Sequence, residues 1–193
     1  MSEPTPNGSP FDVAVIGAGP AGIAAALALH HVGARVALVG PPPTRTMQAR
    51  PETRSAALLT SSVDFLKRLG VWEQLMPAAA PLTAVRIVDA SRSLLRSPDI
   101  AFESQELGLE AFGFNIANAA LNLALYDRAR AVLAHLSPAT IASIQLDADL
   151  ATLTLDTGEE LSCRLVAGAD GRQSKCRQAA GIETREIHYE QSA

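Results

Sequence analysis

The alternation of apolar and polar residues near the start of the chain predicts a strand, a turn, a helix and a second strand. Residues 13–16 form a short apolar run rich in valine and isoleucine, which is typical of a strand buried on both faces. Residues 23–31, rich in alanine and leucine, predict a helix that ends near Gly33, and residues 35–39 predict the next strand. This order predicts an α/β fold of the Rossmann type.

The turn between the first strand and the helix carries a glycine motif. Gly17 permits the tight turn, Gly19 lets phosphates approach the backbone, and Gly22 lets the helix pack closely. The N–H groups and the dipole of the first helical turn favour an anion. We therefore predict a dinucleotide pyrophosphate site formed by Gly17, Ala18, Gly19, Pro20, Ala21 and Gly22.

The second strand lacks the acidic residue that usually accepts a hydrogen bond from the ribose, about 20 residues after the glycines. Here the strand ends at Val39 and Gly40 and is followed by three prolines. We therefore expect adenosine recognition to be weaker, or to come from elsewhere, such as Thr44 or Arg45. Arg45 is also explained as a solvated loop charge.

The middle of the chain predicts helices and a second sheet. A loop over residues 41–53 leads to Arg54, and a helix capped by Ser61 and Asp64 runs to Gly70, followed by a short helix with Trp72 in the core. Strands are predicted at residues 85–89, 94–96 and 100–102. A further helix is predicted from Asn118 through Leu136, ended by Ser137 and Pro138.

The last third predicts a meander of short strands. Residues 141–165 alternate apolar and polar positions, which places Cys163 inward with the leucines, as a core residue and not a nucleophile. A strand at residues 165–169 then leads to Asp170 and Gly171. The end of a buried strand is where α/β sheets bind ligands, although an ordinary Asp-Gly turn explains the residues equally well.

Composition narrows the class of protein. The 193 residues are 48% hydrophobic and 19% charged with a net charge of −4, which argues against a nucleic-acid surface. The two cysteines have no metal-ligand spacing, so we predict free thiols, no metal and a cytoplasmic setting. Residues 1–10 are typical of a disordered lead-in. Residues 13–29 are apolar but broken by glycine and proline, and too short to span a membrane.

Three motifs together resemble those of the FAD-dependent aromatic hydroxylases, which are flavoprotein monooxygenases, and most of all those of the ubiquinone-biosynthesis hydroxylases. They are the glycine motif, Arg54 ahead of a helix ending Leu-Gly-Val-Trp, and Gly-Ala-Asp170-Gly171-x-x-Ser174-x-x-Arg177. The run at residues 112–118 and the final Tyr-Glu-Gln-Ser-Ala are also similar to this subgroup.

The resemblance implies FAD as cofactor, NAD(P)H as reductant and an electron-rich aromatic ring, hydroxylated with O2, as substrate. It implies that the glycines hold the FAD pyrophosphate and that Arg54 contacts the cofactor. Asp170 and Gly171 would serve both FAD and NAD(P)H, with Ser174 and Arg177 shaping that motif. A substrate with a polyprenyl tail would bring peripheral contact with the inner membrane. No catalytic base is identified, because His30, His31 and His135 are predicted to end helices and His188 lies near the last residue.

The resemblance also implies a domain organisation. The FAD-binding domain would comprise residues 11–80 and 105–185, with substrate-domain strands at 81–104 and again from 186 to 193. The family's second cofactor motif, Gly-Asp with a later proline, is absent, so we expect a fragment of a longer hydroxylase. Two alternatives remain: a truncated, inactive FAD-binding fragment, and a nicotinamide-dependent Rossmann dehydrogenase.

Overall fold

The computed structural model describes residues 10–43, 54–91 and 97–187, which belong to two compact units. The first unit comprises residues 1–43 and 129–193, and the second comprises residues 44–128. The strands are β1 (Phe11–Ile16), β2 (Val36–Val39), β3 (Ser55–Leu59), β4 (Ala80–Pro81), β5 (Ala84–Ile87), β6 (Ile100–Glu103), β7 (Gly113–Ala117), β8 (His135–Ser137), β9 (Ile141–Leu146), β10 (Ala151–Leu155) and β11 (Glu160–Gly168).

Five α-helices accompany these strands in the described part of the chain. They are α1 (Pro20–His31), α2 (Thr60–Arg68), α3 (Trp72–Leu75), α4 (Asn118–Val132) and α5 (Lys175–Ala179). Among the described residues, none of the helices combines the length and the hydrophobicity that a bilayer crossing requires.

The first unit is built on one six-stranded sheet in the order β8-β2-β1-β11-β10-β9. The strands β8, β2, β1 and β11 are parallel, whereas β10 pairs antiparallel with both β11 and β9. The α/β class, the Rossmann-like order at the start of the chain and the β-meander are therefore confirmed. Since β1 and β2 are buried at nearly every position, they carry the continuous apolar sequence expected of central parallel strands.

The core cluster of this unit is formed by residues from the parallel strands β1 and β2 and from the meander of β9, β10 and β11. Leu153 and Cys163 are completely buried in it, which confirms Cys163 as a core residue. The expectation that Leu165 shares this interior is wrong, because its side chain is 58% exposed. At Cys163, β11 changes its neighbour from β10 to β1, so the alternation of the meander no longer determines burial beyond that point.

The second unit contains a three-stranded antiparallel sheet in the order β3-β7-β4. Trp72 is buried and meets Phe114 edge to face with ring centroids 5.1 Å apart, which confirms Trp72 as a core residue. The side chain of Arg128 donates a 3.0 Å hydrogen bond to the carbonyl of Leu69 at the end of α2. This bond satisfies one of the carbonyls that a helix end leaves without a partner in its own helix.

A separate ribbon of β5 and β6 in the second unit has one apolar face. Val85 is directly opposite Phe102 and Ile87 opposite Ile100, so the four side chains share a face of the ribbon. They are 46–58% exposed among the described residues. Arg86 lies on the other face and forms an ion pair of 2.6 Å with Asp99.

The predicted helix from Asn118 through Leu136 is too long. The helix α4 ends at Val132, and residues 135–137 form β8 instead, with Leu136 opposite Leu38 of β2. The helical spacing of apolar residues extends to Leu136 by coincidence. Residues 135–137 form a strand instead, because they pair with the edge of β2. His135 therefore belongs to a strand, and the prediction that it ends a helix is also wrong.

Two other predicted features differ from the structure or lie outside it. Ser61 is not a helix cap, because α2 begins at Thr60 and its flanking residue Leu59 makes no side-chain capping bond. The strands β3 and β7 were not predicted from their short apolar sequences. The predicted strand at 94–96, as well as Thr44, Arg45 and His188, lies outside the described residues.

The buried meander predicts which leucines stabilise the first unit. We expect Leu153→Ala to lower the free energy of unfolding by about 2–5 kcal/mol, because Leu153 is completely buried and its removal leaves a cavity. The matched change Leu146→Ala, at a side chain that is 55% exposed, should alter stability by less than about 1 kcal/mol. Denaturant unfolding of both variants checks this, and equal losses would contradict the observed packing.

Candidate functional site

The candidate site is formed where four parallel strands end side by side. Because β8, β2, β1 and β11 are parallel, their carboxyl ends lie at one edge of the sheet. Backbone hydrogen bonds continue past the last paired residues: Ala169 N–H to Ile16 O at 2.7 Å, Gly17 N–H to Val39 O at 2.7 Å, and Gly40 N–H to Ser137 O at 2.9 Å. The residues that follow each strand are thus held in fixed positions.

The glycine turn is packed against the segment that follows β11. Gly17 has φ +113, and a Cβ there would overlap the carbonyl oxygen of Ala169 and lie 2.9 Å from the backbone nitrogen of Asp170. A Cβ at Gly22 would overlap the carbonyl oxygen of Gly17 and lie 3.1 Å from the Cβ of Ala169. Both positions therefore require glycine for close backbone contact.

Gly19 differs from Gly17 and Gly22, the other two glycines of the motif, because it faces open space. It is exposed and lies just before α1, with ordinary φ and ψ of −78° and 173°, and an added Cβ would meet no atom within 4 Å. The first turn of the 12-residue helix holds no acidic residue and begins with Pro20. This combination of open backbone, helix dipole and lack of negative charge suits a phosphate group.

Asp170 organises the turn that leads into α5. One carboxylate oxygen, Oδ2, accepts hydrogen bonds from the backbone N–H groups of Lys175 at 2.7 Å and Cys176 at 3.1 Å. The Ser174 hydroxyl accepts a 3.0 Å bond from the Arg177 N–H, and the Arg177 guanidinium donates to the carbonyl of Arg172 at 2.9 Å. The other Asp170 oxygen, Oδ1, is buried without a hydrogen-bond partner in the described structure.

The surroundings shift the pKa values of two groups in this turn. Partial burial would raise the pKa of Asp170, but hydrogen bonds from the Ser174 side chain and from backbone N–H groups outweigh it, so the pKa lies below its ordinary value. For Cys176, burial and the nearby Asp170 charge raise the pKa to about 12. The turn therefore holds a carboxylate beside a neutral thiol at physiological pH.

A polar cleft opens beside this turn in the first unit. Its volume is about 1130 Å³, and four cationic side chains and two carboxylates line it together with neutral polar residues. The cations are Arg172, Lys175, Arg177 and Arg185. The ammonium group of Lys175 also donates to the carbonyl of Ile141, which fixes one of these charges at the cleft wall.

The structure thus brings together ten of the predicted site residues within the first unit, and Arg54 is part of the second unit. The six residues of the glycine motif adjoin the turn containing Asp170, Gly171, Ser174 and Arg177. Arg54 belongs to the second unit, where its carbonyl accepts a hydrogen bond from the Asn118 N–H at 3.0 Å. The part of each residue in cofactor binding stays a prediction.

Sequence reasoning missed two residues at this edge. Ser137 was interpreted as part of a helix stop, yet it is buried and its carbonyl binds the Gly40 N–H. Lys175 was not singled out, although its ammonium group donates to the carbonyl of Ile141 at the start of the meander. A strand after α4 would have placed Ser137 at the site, but a three-residue strand gives almost no periodic signal.

The carboxylate of Asp170 predicts a pH-dependent contribution to stability. Because its pKa is lower in the folded than in the unfolded chain, its contribution is complete above its ordinary value of 3.8 and is lost as pH falls through the folded pKa. We expect Asp170→Asn to cost about 1 kcal/mol at neutral pH, the difference between charged and neutral acceptors. The stability gap to the unmodified chain should shrink below about pH 4.

Unfolding by denaturant at several pH values measures that gap. Asp149→Asn is the matched control, because Asp149 is an exposed carboxylate beside the β9–β10 turn of the same unit. A gap for Asp170→Asn that widened on acidification would contradict the assigned hydrogen bonds.

Known proteins similar to this chain extend well beyond its length. Residues 10–192 match the family model described as FAD binding domain. Ubiquinone hydroxylase UbiL of Rhodospirillum rubrum is 31% identical over 94% of this chain and 42% of that protein. The 3-demethoxyubiquinol 3-hydroxylase of Escherichia coli is 31% identical over 95% of this chain and 47% of that protein. The chain therefore spans less than half the length of these curated relatives.

Solved structures share the fold. The p-nitrophenol 4-monooxygenase PnpA of Pseudomonas putida superposes with a TM-score of 0.70 at 18% identity, over 89% of this chain and 44% of that one. A 2-methyl-3-hydroxypyridine-5-carboxylic acid oxygenase gives a TM-score of 0.64 at 27% identity, over 90% of this chain and 43% of that one. Because the family match covers residues 10–192, this chain belongs to the FAD binding domain family, and its curated relatives include proteins named as ubiquinone hydroxylases.

Proposed function

We propose that this chain provides the FAD-binding part of a monooxygenase that hydroxylates an aromatic ring in ubiquinone biosynthesis, with NAD(P)H as reductant. One observation carries the proposal: the glycine turn and the Asp170 turn meet at the carboxyl edge of parallel strands, in a chain whose family binds FAD. Ligands of open α/β sheets bind at this edge.

The residues at this edge fit the pyrophosphate of FAD. Gly19 and the first turn of α1 offer exposed backbone without a side chain or an acidic group. FAD, when bound, supplies the redox chemistry and oxygen activation, while these residues hold and orient it.

The cationic cleft supports NAD(P)H as the reductant. Arg172, Lys175 and Arg185 surround a space that adjoins Asp170, and a dinucleotide brings at least two phosphate charges. Two carboxylates in the same lining leave an excess of positive charge, which favours an anionic ligand.

The ring substrate is proposed from the relatives. Proteins 31% identical over almost all of this chain are named ubiquinone hydroxylase and 3-demethoxyubiquinol 3-hydroxylase. We propose a small aromatic substrate of that class carrying a polyprenyl tail. A tail of this kind would bring the protein into peripheral contact with a membrane.

We further propose that residues 1–193 alone bind FAD but do not hydroxylate. The relatives are more than twice as long as the matched region, so more than half of each lies outside it. A hydroxylation pocket must hold the ring and exclude water on all sides, which needs walls from several elements. The polar cleft described above is open and supplies no apolar pocket for a ring.

FAD binding tests the cofactor assignment. Titration of the purified chain should quench flavin fluorescence saturably and raise the melting temperature, because a ligand that prefers the folded state stabilises it. Gly19→Ala should weaken FAD binding roughly tenfold by placing a methyl group where phosphates approach the backbone. The same change should cost the free chain no more than about 1 kcal/mol, since the new Cβ meets no neighbour.

Gly22→Ala serves as the contrasting control for this titration. Its Cβ would overlap the Gly17 carbonyl, so it should destabilise the chain even without FAD. A folded protein that binds no FAD would refute the cofactor assignment and leave the nicotinamide-dependent dehydrogenase as the alternative.

Reduction and hydroxylation separate the remaining parts of the proposal. Anaerobic mixing of the FAD-loaded chain with NADH and with NADPH should bleach the flavin absorbance with at least one of them. In air, mass spectrometry should detect no hydroxylated product from a demethoxyubiquinol analogue. NADH-dependent product formation would show that this chain completes the pocket unaided and would overturn the inactivity of the chain alone.

A further inference from the structure

The end of β2 is closed to side chains by its contact with the glycine turn. Gly40 is buried, with φ +155, and its N–H donates to the Ser137 carbonyl at 2.9 Å. A Cβ at this position would lie 2.6 Å from the backbone nitrogen of Ala18 and 3.2 Å from the Cα of Gly17. The neighbouring atoms are backbone and cannot rotate away, so position 40 requires glycine here.

The same position normally holds a carboxylate in dinucleotide-binding folds. An Asp or Glu about 20 residues after the glycines accepts a hydrogen bond from the 2′-hydroxyl of the adenosine ribose. In this chain the backbone at the end of β2 lies too close to Gly17 and Ala18 for an Asp or Glu side chain to fit. Gly40 is therefore part of the packing of the turn, and the missing carboxylate cannot be restored by substitution at that position alone.

We infer that the end of β2, as the structure describes it, offers no carboxylate to the adenosine ribose of FAD, so that the FAD site is indifferent to the adenosine 2′-hydroxyl. The inference rests on the proposed FAD binding and assigns Gly40 a role in specificity. The Gly40 N–H joins the end of β2 to β8 through its bond to Ser137, and the Gly17 N–H joins the glycine turn to β2 through its bond to Val39. The absence of a side chain at Gly40 removes the group that usually contacts the ribose.

The unmodified chain provides the first test. Dissociation constants are measured by fluorescence and calorimetry for FAD and for FAD that lacks the 2′-hydroxyl on its adenosine ribose. We expect the two constants to agree within about twofold, because no charged acceptor is lost. A carboxylate contact would separate them by roughly ten- to a hundredfold, the effect of a hydrogen bond to a charged group.

The outcomes are distinct. FAD binding with tenfold or greater discrimination would overturn the inference and show that another group of the chain contacts the ribose. Failure of both flavins to bind a folded chain would overturn the proposed FAD binding and the inference with it. Tight and equal binding supports both.

Substitution at two glycines tests the closed strand end independently. Gly40→Ala is compared with Gly33→Ala, because Gly33 also has positive φ, +90, but nothing lies within 4 Å of an added Cβ. Both changes strain the backbone, so both should lower the melting temperature of the free chain. Gly40→Ala should lower it further and weaken FAD binding by displacing Gly17 and Ala18, whereas Gly33→Ala should leave the FAD dissociation constant unchanged.

Gly40→Glu completes the comparison by offering the carboxylate itself. We expect it to bind FAD more weakly than the unmodified chain and to acquire no preference for the 2′-hydroxyl. Tighter binding with a new tenfold preference would show that position 40 admits a side chain and would overturn the closed strand end. So would a Gly40→Ala variant that matched Gly33→Ala in both stability and FAD affinity.

Discussion

Close contact between backbone segments at the carboxyl edge of the sheet is the constraint on which the first unit depends. Gly17, Gly22 and Ala169 approach until a single added carbon would overlap a carbonyl oxygen. The approach is fixed by hydrogen bonds that continue the parallel ladder beyond each strand. Because these contacts join the start of the chain to a segment about 150 residues later, the packing of the turn depends on residues distant in sequence.

A site made in this way is mainly a backbone site. The groups that we propose to face phosphate are the exposed main chain at Gly19 and the first turn of α1. One carboxylate oxygen of Asp170 accepts hydrogen bonds that organise the turn of Asp170 itself. Positive charge is supplied by the cationic side chains that line the polar cleft beside the Asp170 turn. The arrangement suits the common part of a dinucleotide, its pyrophosphate, and the proposed ring substrate would be recognised by other elements.

Sequence patterns predicted the structure correctly where an element is determined by residues close to it in the sequence. The glycine motif with β1, α1 and β2, and the alternation through β10 to Cys163, depend on neighbouring residues and were predicted correctly. The strands β3, β7 and β8 were missed because they are short and are selected by partners distant in sequence. Leu136 shows the difficulty: it continues a helical spacing, yet its hydrogen-bonding environment is that of a strand beside β2.

The sequence by itself determined the α/β class, the glycine turn and the pairing of motifs that relates the chain to FAD-dependent hydroxylases, since each depends on residue types at fixed spacing. Tertiary structure alone decided that position 40 has no room for a side chain and that the Ser137 carbonyl accepts a hydrogen bond from the Gly40 N–H. From sequence, Gly40 was simply a departure from the acidic residue. The structural role of Gly40 follows from the space around it: a Cβ added there would lie 2.6 Å from the backbone nitrogen of Ala18. The pairing of β1, β2 and β8 sets that distance.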